Sequence, residues 1–246
     1  MKKYRILNVD INYSSYDYFV EKILRQAINN RPFKMAPVAS HPITKSFFNK
    51  SLKKALDQFD MVLPDGQSLV WAANMLYKAN IKERVYGPEL FNRIVEKCQE
   101  KDIRVILYGN HTGSLRNKIK REFKKLKVTA FEDLKGREID IAMQSRLLGE
   151  LKKYKRSILF VGIGSPAQHL FLANLKGIKI PAVAVGAAFD FKVGFKKQAP
   201  DWIQNLGLEW FFRLATEPKR LWRRYLVDAP LFVILVYLRK LSLIKG

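Results

Sequence analysis

The sequence predicts an α/β fold in which a parallel sheet is flanked by helices, with a helical appendage at the C-terminus. Apolar, β-branched clusters alternate with segments of helical periodicity over roughly the first 195 residues. Such alternation is typical of parallel strands joined by helical crossovers. From about residue 196 the strand signals stop, and the remaining apolar segments all have helical spacing. We therefore predict an α/β domain over residues 1–195 and a helical, basic appendage over residues 196–246.

Individual elements follow from length and periodicity. The predicted strands are Phe33–Ser40, Met61–Leu63, Ile103–Gly109, Lys127–Ala130, Ile158–Gly162 and Ile180–Val185. The predicted helices of the α/β domain are Tyr16–Asn29, Ile43–Gln58, Gln67–Ala79, Pro88–Gln99, Leu115–Phe123, Ile139–Leu151 and Ala167–Asn174. Those of the appendage are Trp202–Leu206, Leu208–Leu214, Pro218–Val227 and Leu231–Leu241.

Charge is the strongest feature of the composition. Lysine and arginine number 45 against 22 aspartates and glutamates, so the net charge is +23. A field of this sign attracts polyanions, which include nucleic acid, an anionic membrane surface and a phosphorylated substrate. The hydrophobic content of 48% is ample for a core, and the single cysteine, Cys98, allows no internal disulfide.

The apolar segments bear on localisation. Asn8 and Asp10 interrupt any signal-peptide core near the N-terminus, which favours a cytoplasmic protein. The longest apolar run, Ala229 to Leu238, has about ten residues, against the roughly twenty of a membrane-spanning helix. We expect this run to lie in a membrane surface on the inner face of the cell membrane, as a peripheral anchor.

Residues that follow the strands are the first candidates for a binding site, because ligands of open α/β sheets bind at the carboxyl ends of strands. Asp65 is the best general-base candidate, although Pro-Asp-Gly also makes an ordinary turn or helix cap. His41 is a second titratable group there, with capping or packing as an equal alternative. The strand-end glycines would let backbone amides approach a phosphate, or would simply form tight turns: Gly66, Gly109, Gly162, Gly164 and Gly186.

Other chemistry finds little support in the sequence. The three histidines lack metal-ligand spacing, and no paired-aspartate motif typical of divalent-metal enzymes is present. No serine occupies a nucleophile elbow. We therefore expect no metal and no cofactor, and a site that works by positioning and charge stabilisation.

The appendage carries arginines at helical spacing. Arg213 and Arg220 are seven residues apart and Arg220 and Arg224 four apart, so a roughly continuous helix would present them along one side. A solvated basic face is the common alternative for any charge run. Arginine suits bidentate phosphate contact, and the aromatic residues interleaved with this run favour an interface with anionic lipid or substrate.

These motifs together resemble one family along nearly the whole chain. The matching segments are Pro64-Asp65-Gly66, Glu83-Arg84-Val85, Gly162-x-Gly164-x-Pro166 with Gln168, Gly186 to Asp190, Ala199-Pro200-x-Trp202, and Gly207-Leu208-Glu209-Trp210 through Tyr225. The sequence resembles the WecG/TagA/CpsF glycosyltransferases of bacterial cell-surface polysaccharide and teichoic acid synthesis. The resemblance implies a Rossmann-like α/β domain with a C-terminal appendage. It also implies an inverting, metal-independent transfer from a UDP-sugar to a polyprenyl-diphosphate-linked sugar.

The resemblance also implies roles for particular residues. Asp65 corresponds to the base that deprotonates the acceptor hydroxyl, and Arg84 and Gln168 to polar contacts with donor or acceptor. The appendage would close over the site and supply arginines from among Arg213, Arg220 and Arg224 to the departing diphosphate. The remaining candidates for substrate contact are the strand-end residues and one residue of the matching segment Gly186 to Asp190: His41, Gly66, Gly109, Gly162, Gly164, Gly186 and Asp190.

Departures from the family pattern leave the donor sugar open. His41 stands where members commonly have Asn, His169 replaces a Glu, and Gln198 replaces an Arg. Two other functions stay open at this stage, a basic nucleic-acid-binding protein and a catalytically inactive family member that acts as a scaffold. Nucleic acid is not expected as a partner, and a homo-oligomer is compatible with the sequence.

Overall fold

A six-stranded parallel sheet forms the centre of the molecule. The structure, a computed structural model, describes residues 1–134, 140–200, 202–203 and 207–244. The strands of this sheet are β3 (Phe33–Val38), β4 (Met61–Pro64), β5 (Arg104–Gly109), β6 (Val128–Asp133), β7 (Ser157–Gly162) and β8 (Pro181–Ala184). Their order across the sheet is β4-β3-β8-β7-β5-β6. The predicted α/β class and all six predicted strands are confirmed.

Helices cover both faces of the sheet. Within the described residues they are α1 (Tyr16–Ile28), α2 (Ser40–Phe48), α3 (Lys50–Leu56), α4 (Gln67–Tyr77), α5 (Gly87–Glu100), α6 (Thr112–Glu122), α7 (Ile141–Leu151), α8 (Ala167–Asn174) and α9 (Ala188–Val193). The appendage contains α10 (Glu209–Thr216), α11 (Pro218–Trp222), a π-helical segment (Arg223–Asp228) and α12 (Ala229–Lys240). Most of the predicted helix Trp202–Leu206 lies outside the described residues.

One predicted helix is divided into two helices in the structure. The segment Ile43–Gln58 is divided at Asn49, whose backbone is extended, with φ −116° and ψ 102°. The Asn49 side chain accepts a hydrogen bond from the backbone N–H of Leu52 at 3.0 Å and so caps α3. Helical periodicity continues across this break, which explains why the sequence pattern alone did not reveal it.

An N-terminal hairpin was not predicted. β1 (Lys2–Ile6) and β2 (Val9–Tyr13) form a two-stranded antiparallel sheet. The Asn12 side chain accepts a hydrogen bond from the backbone N–H of Val62 in β4 at 3.0 Å. Since β4 is an edge strand of the main sheet, the hairpin covers an edge that would otherwise expose unpaired backbone groups.

Two hydrophobic cores lie on opposite faces of the sheet. One is formed with the hairpin, α2, α3, α4 and α8, and the other with α1, α5, α6 and α9. Phe232, Leu235 and Val236 of α12 are at most 5% exposed and belong to the first core. The predicted boundary at residues 195/196 stays a prediction, but the last helix of the appendage is packed into the core of the α/β domain.

The close packing of Gly162 leads to a stability prediction. A Cβ added at Gly162 would lie 2.5 Å from the ring of Phe189, which is fully buried. We expect Gly162→Ala to lower the free energy of unfolding by about 1–3 kcal/mol because the ring has no space to move. Urea denaturation measures this. Gly113→Ala in α6 is the matched control, since no atom lies within 4 Å of its added Cβ. Equal stability of the two variants would contradict the prediction.

Candidate active site

A cavity of about 830 Å³ lies beside the carboxyl ends of β3 and β4, under the appendage. Its floor includes Ser40, Asp65 and Gly66, which follow those two strands. The segment between α4 and α5 forms one wall. The appendage forms the opposite wall with polar and apolar side chains: Glu209, Trp210, Arg213, Arg224, Tyr225 and Val233. Residues of the predicted α/β domain and of the appendage therefore both line the cavity.

Asp65 occupies the position predicted for it, directly after β4. One carboxylate oxygen, Oδ1, accepts a hydrogen bond from the backbone N–H of Gly87, the first residue of α5, at 2.7 Å. Burial raises the pKa of the Asp65 carboxyl, whereas the Gly87 N–H and the Arg84 guanidinium act in the opposite direction. A carboxylate that is oriented by one oxygen and has a raised pKa is suited to accept a proton.

Arg84 forms an ion pair with Glu209 across the cavity. Arg84 Nη2 lies 2.7 Å from Glu209 Oε2, and the guanidinium also lies 4.6 Å from the ring centroid of Tyr86. Although burial alone would lower it, the pKa of Arg84 is raised by Glu209. Glu209 is the first residue of α10, so this pair connects the α/β domain with the appendage.

Arg213 and Arg224 supply positive charge to the same cavity. Among the described residues neither pairs with a carboxylate, and the buried Nε of Arg213 has no hydrogen-bond partner. Burial lowers the pKa of Arg224 and Arg213 lowers it further, yet a guanidinium stays protonated at neutral pH. Two neighbouring cations in a cavity create a positive potential that would attract an anion.

Arg220 is separated from the other two arginines. Helix α10 ends at Thr216, the following residue Glu217 has φ −135°, and α11 begins at Pro218, so the continuous helix that the spacing predicted is not formed. Arg220 is exposed and donates two hydrogen bonds to the Glu217 carboxylate at 2.6 and 2.7 Å. It does not line the cavity.

The other strand-end candidates gather at the ends of β5, β7 and β8. Gly109 and Gly162 end neighbouring strands, and an added Cβ on Gly109 would lie 2.4 Å from the carbonyl oxygen of Gly162. Gln168 is buried, and its Oε1 accepts a hydrogen bond from the backbone N–H of Gly186 at 2.9 Å. Gly164 and Gly186 both have positive φ, at +91° and +57°. None of these residues lines the cavity, but they form the adjoining part of the same sheet edge.

Gly87 connects this second group with Asp65. An added Cβ at Gly87 would lie 3.5 Å from Asp65 Oδ1 and 3.8 Å from the carbonyl oxygen of Val185. Val185 precedes Gly186, the partner of Gln168. Gly87 therefore lies between Asp65 and the residue that precedes Gly186.

Asp190 forms an ion pair with Lys196, which lies in the segment between α9 and α10. Its carboxylate pairs with Lys196, which also lies 3.9 Å from Glu217 Oε2, and His111 Nε2 lies 3.8 Å away. Lys196 therefore bridges an α9 carboxylate and one at the α10–α11 junction. Asp190 does not line the cavity, and its contacts connect α9 with the start of the appendage.

His41 is buried and is not among the residues that line the cavity. It is 5% exposed, and its Nδ1 has no hydrogen-bond partner among the described residues. Burial, reinforced by Arg224 and Lys45, lowers the pKa of His41 to about 2, so the ring is neutral at physiological pH. Neighbouring Ser40, not His41, lines the cavity.

The structure adds residues for which the sequence motifs predicted no role. Tyr16 lines the cavity, its hydroxyl accepts a hydrogen bond from the backbone N–H of Tyr86 at 2.7 Å, and its ring faces Arg93. Glu209 and Trp210 appeared only as parts of a motif. A carboxylate within that motif was a usable signal, but its partner Arg84 is 125 residues away in the chain.

Comparison with known proteins decides the family. The model of the glycosyl transferase WecG/TagA/CpsF family matches residues 4–246. The chain belongs to this family. It is therefore a glycosyltransferase, as the resemblance implied.

Two curated relatives of this glycosyltransferase carry the name N-acetylglucosaminyldiphosphoundecaprenol N-acetyl-beta-D-mannosaminyltransferase. The protein from Bacillus spizizenii is 31% identical over 183 residues, which are 72% of this chain and 68% of the relative. The protein from Bacillus subtilis is 28% identical over 176 residues, or 70% of this chain and 66% of the relative. The chain thus spans about two thirds of the length of these relatives.

Proposed function

We propose that this glycosyltransferase moves a hexose or N-acetylhexosamine from a UDP-sugar to a polyprenyl-diphosphate-linked sugar, with inversion and without a metal ion. The product would enter a cell-surface polysaccharide such as teichoic acid. One observation carries the proposal: a carboxylate suited to act as a base shares a cavity with two arginines that pair with no described carboxylate. The names of the two relatives, a sugar transferase acting on a lipid-diphosphate sugar, support the same acceptor class.

In the proposed reaction, Asp65 takes the proton of the acceptor hydroxyl as its oxygen attacks the anomeric carbon of the donor. The bond between that carbon and the β-phosphate oxygen breaks on the opposite face, which inverts the configuration. The electron pair leaves with UDP, and Arg213 and Arg224 stabilise the developing negative charge. Arginine cations thereby take the role that a divalent metal ion has in other nucleotide-sugar enzymes.

The adjoining strand ends are the proposed contacts for the rest of the donor. Gln168 holds the backbone amide of Gly186, and the open space beside Gly164 allows close approach of a phosphate or sugar. The experiment that tests the function combines purified protein, a panel of UDP-sugars and a lipid-diphosphate sugar acceptor. Acceptor-dependent UDP release with at least one donor is expected. Absence of release with every donor would contradict the proposal.

We further propose that the appendage binds the anionic inner face of the cell membrane. No helix of the described residues is both long and apolar enough to cross a bilayer. Large apolar side chains are exposed on the appendage instead: Trp210, Phe211, Trp222, Leu226, Val227, Ile234 and Tyr237. Basic residues stand beside them, including Arg223, Arg239 and Lys240. This combination is typical of a helix that lies in the headgroup region.

The double substitution Leu226→Glu with Ile234→Glu tests the membrane proposal. Both side chains are more than half exposed, at 59% and 55%, so the fold should tolerate the change. We expect binding to vesicles that contain anionic lipid to weaken about tenfold or more, measured by co-sedimentation. Ile141→Glu on α7, where the side chain is 83% exposed, is the control and should bind as the parent does. Unchanged binding of the double variant would contradict the proposal. Truncation is a poorer test, because α12 contributes to the core.

A further inference from the structure

The ion pair between Arg84 and Glu209 is enclosed. The two side chains are only 22% and 9% exposed, and both line the cavity that contains Asp65. Enclosed ion pairs contribute little net stability, because desolvation of the two charges offsets their attraction. The two chain segments could be joined at lower cost by apolar contact. The position of this pair beside the proposed base therefore suggests a role in the reaction.

We propose that Glu209 is a positioning residue of the transferase site, which holds the Arg84 guanidinium and offsets its positive charge beside Asp65. The inference rests on the proposed function, since it concerns the base of that reaction. It assigns to the appendage a task beyond binding diphosphate or lipid. Asp65 and Arg84 belong to the α/β domain, whereas Glu209 comes from the appendage. Glu209 can therefore act on Arg84 and Asp65 only when the appendage is docked.

The charges around Asp65 determine the direction of the effect. Arg84, Arg224 and Arg213 face the carboxylate as cations, Glu209 faces it as an anion, and Tyr16 and Tyr86 are neutral neighbours. Arg84 acts to lower the pKa of Asp65, and Glu209 acts to raise it. Removal of the Glu209 charge leaves three cations unopposed. The pKa of Asp65 should then fall, and a base of lower pKa accepts the acceptor proton less readily.

Direct titration of the Asp65 carboxyl tests this inference without any need for turnover. The full-length protein is labelled with [13Cγ]aspartate, and Asp65→Asn assigns the signal. We expect Glu209→Gln to lower the pKa of Asp65 by about half a unit or more. Arg84→Gln should raise it, and the double variant should return towards the parent. Glu83→Gln removes a charge from an exposed side chain of the same cavity wall, and should leave the titration unchanged.

The pH profile of kcat/KM provides the second measurement. In Glu209→Gln the acidic limb should move to lower pH with a reduced plateau, while Glu209→Asp, which keeps the charge, should restore most of the parent profile. An Asp65 titration in Glu209→Gln that equals the parent's, or that moves upward, would overturn the inference. If Glu209→Gln does not fold, two other variants test the effect of the Glu209 charge. Glu209→Asp should keep the parent pKa of Asp65. The Arg84→Gln/Glu209→Gln double variant should have a lower Asp65 pKa than Arg84→Gln. Absence of turnover in the parent would contradict the proposed function alone, because the carboxyl titration does not depend on it.

Discussion

Asp65→Asn is expected to lower kcat for sugar transfer by about 10³-fold, because removal of a positioned general base typically costs 10²- to 10⁴-fold in rate. The amide oxygen of asparagine can still accept the hydrogen bond of the Gly87 N–H, so the local geometry should survive. Asparagine cannot take the proton of the acceptor hydroxyl. UDP release with saturating donor and acceptor measures the effect.

Stability separates a catalytic effect from a structural one. Burial raises the pKa of Asp65, which means that its charged form is less favourable in the folded protein than in the unfolded chain. At neutral pH, the free energy of unfolding of Asp65→Asn should therefore equal that of the parent or exceed it. Asp17→Asn, at a side chain that is 89% exposed, serves as the matched control for activity. Parent-like turnover by Asp65→Asn would exclude Asp65 as the base.

The second large effect is expected at the arginines of the appendage. Arg213→Gln and Arg224→Gln should each lower kcat by about 10²- to 10³-fold, since each removes one preorganised donor to the departing diphosphate. The loss should be in kcat rather than only in KM, because the charge on the leaving group develops in the transition state. Steady-state kinetics with a short-chain, water-soluble acceptor analogue keeps membrane binding out of the measurement.

Arg223→Gln is the control for this pair. Arg223 adjoins Arg224 in the chain, but its exposed guanidinium lies 5.1 Å from the ring centroid of Trp222, outside the cavity. It should retain parent kcat with the soluble acceptor. An equal loss in Arg223→Gln and Arg224→Gln would show that the arginines act through overall charge and not through the cavity.

Much of the fold could be predicted because its signals are local. Each central strand is a short run of β-branched and apolar residues, since both faces of a parallel sheet are buried, and β7 is buried along its whole length. Asp65 was recognisable because the carboxyl end of a strand is a fixed location for ligands in such sheets. The hairpin β1–β2 lacked a comparable signal, because polar residues interrupt its strands and it is stabilised by contact with β4 and the first core.

The arrangement of the appendage could not be predicted in the same way. The prediction that Arg213, Arg220 and Arg224 share one side rested on a single continuous helix. The break at Glu217 and the π-helical segment change the direction in which the later side chains point. Arg224 then faces the cavity, and Arg220 turns to Glu217. Hydrogen bonding that differs by one residue per turn moves a side chain around the helix, and such a difference leaves little trace in hydrophobic periodicity.

By itself, the sequence determined the α/β class, the family resemblance, the carboxylate after β4 and a basic appendage with interleaved aromatic residues. Only the tertiary structure decided which charges meet. It paired Arg84 with Glu209, left Arg213 and Arg224 facing the cavity, and packed α12 into the core. The physical reason is that periodicity and strand ends are encoded over a few neighbouring residues. Electrostatic partners and shared cores, by contrast, depend on contacts between residues more than a hundred positions apart.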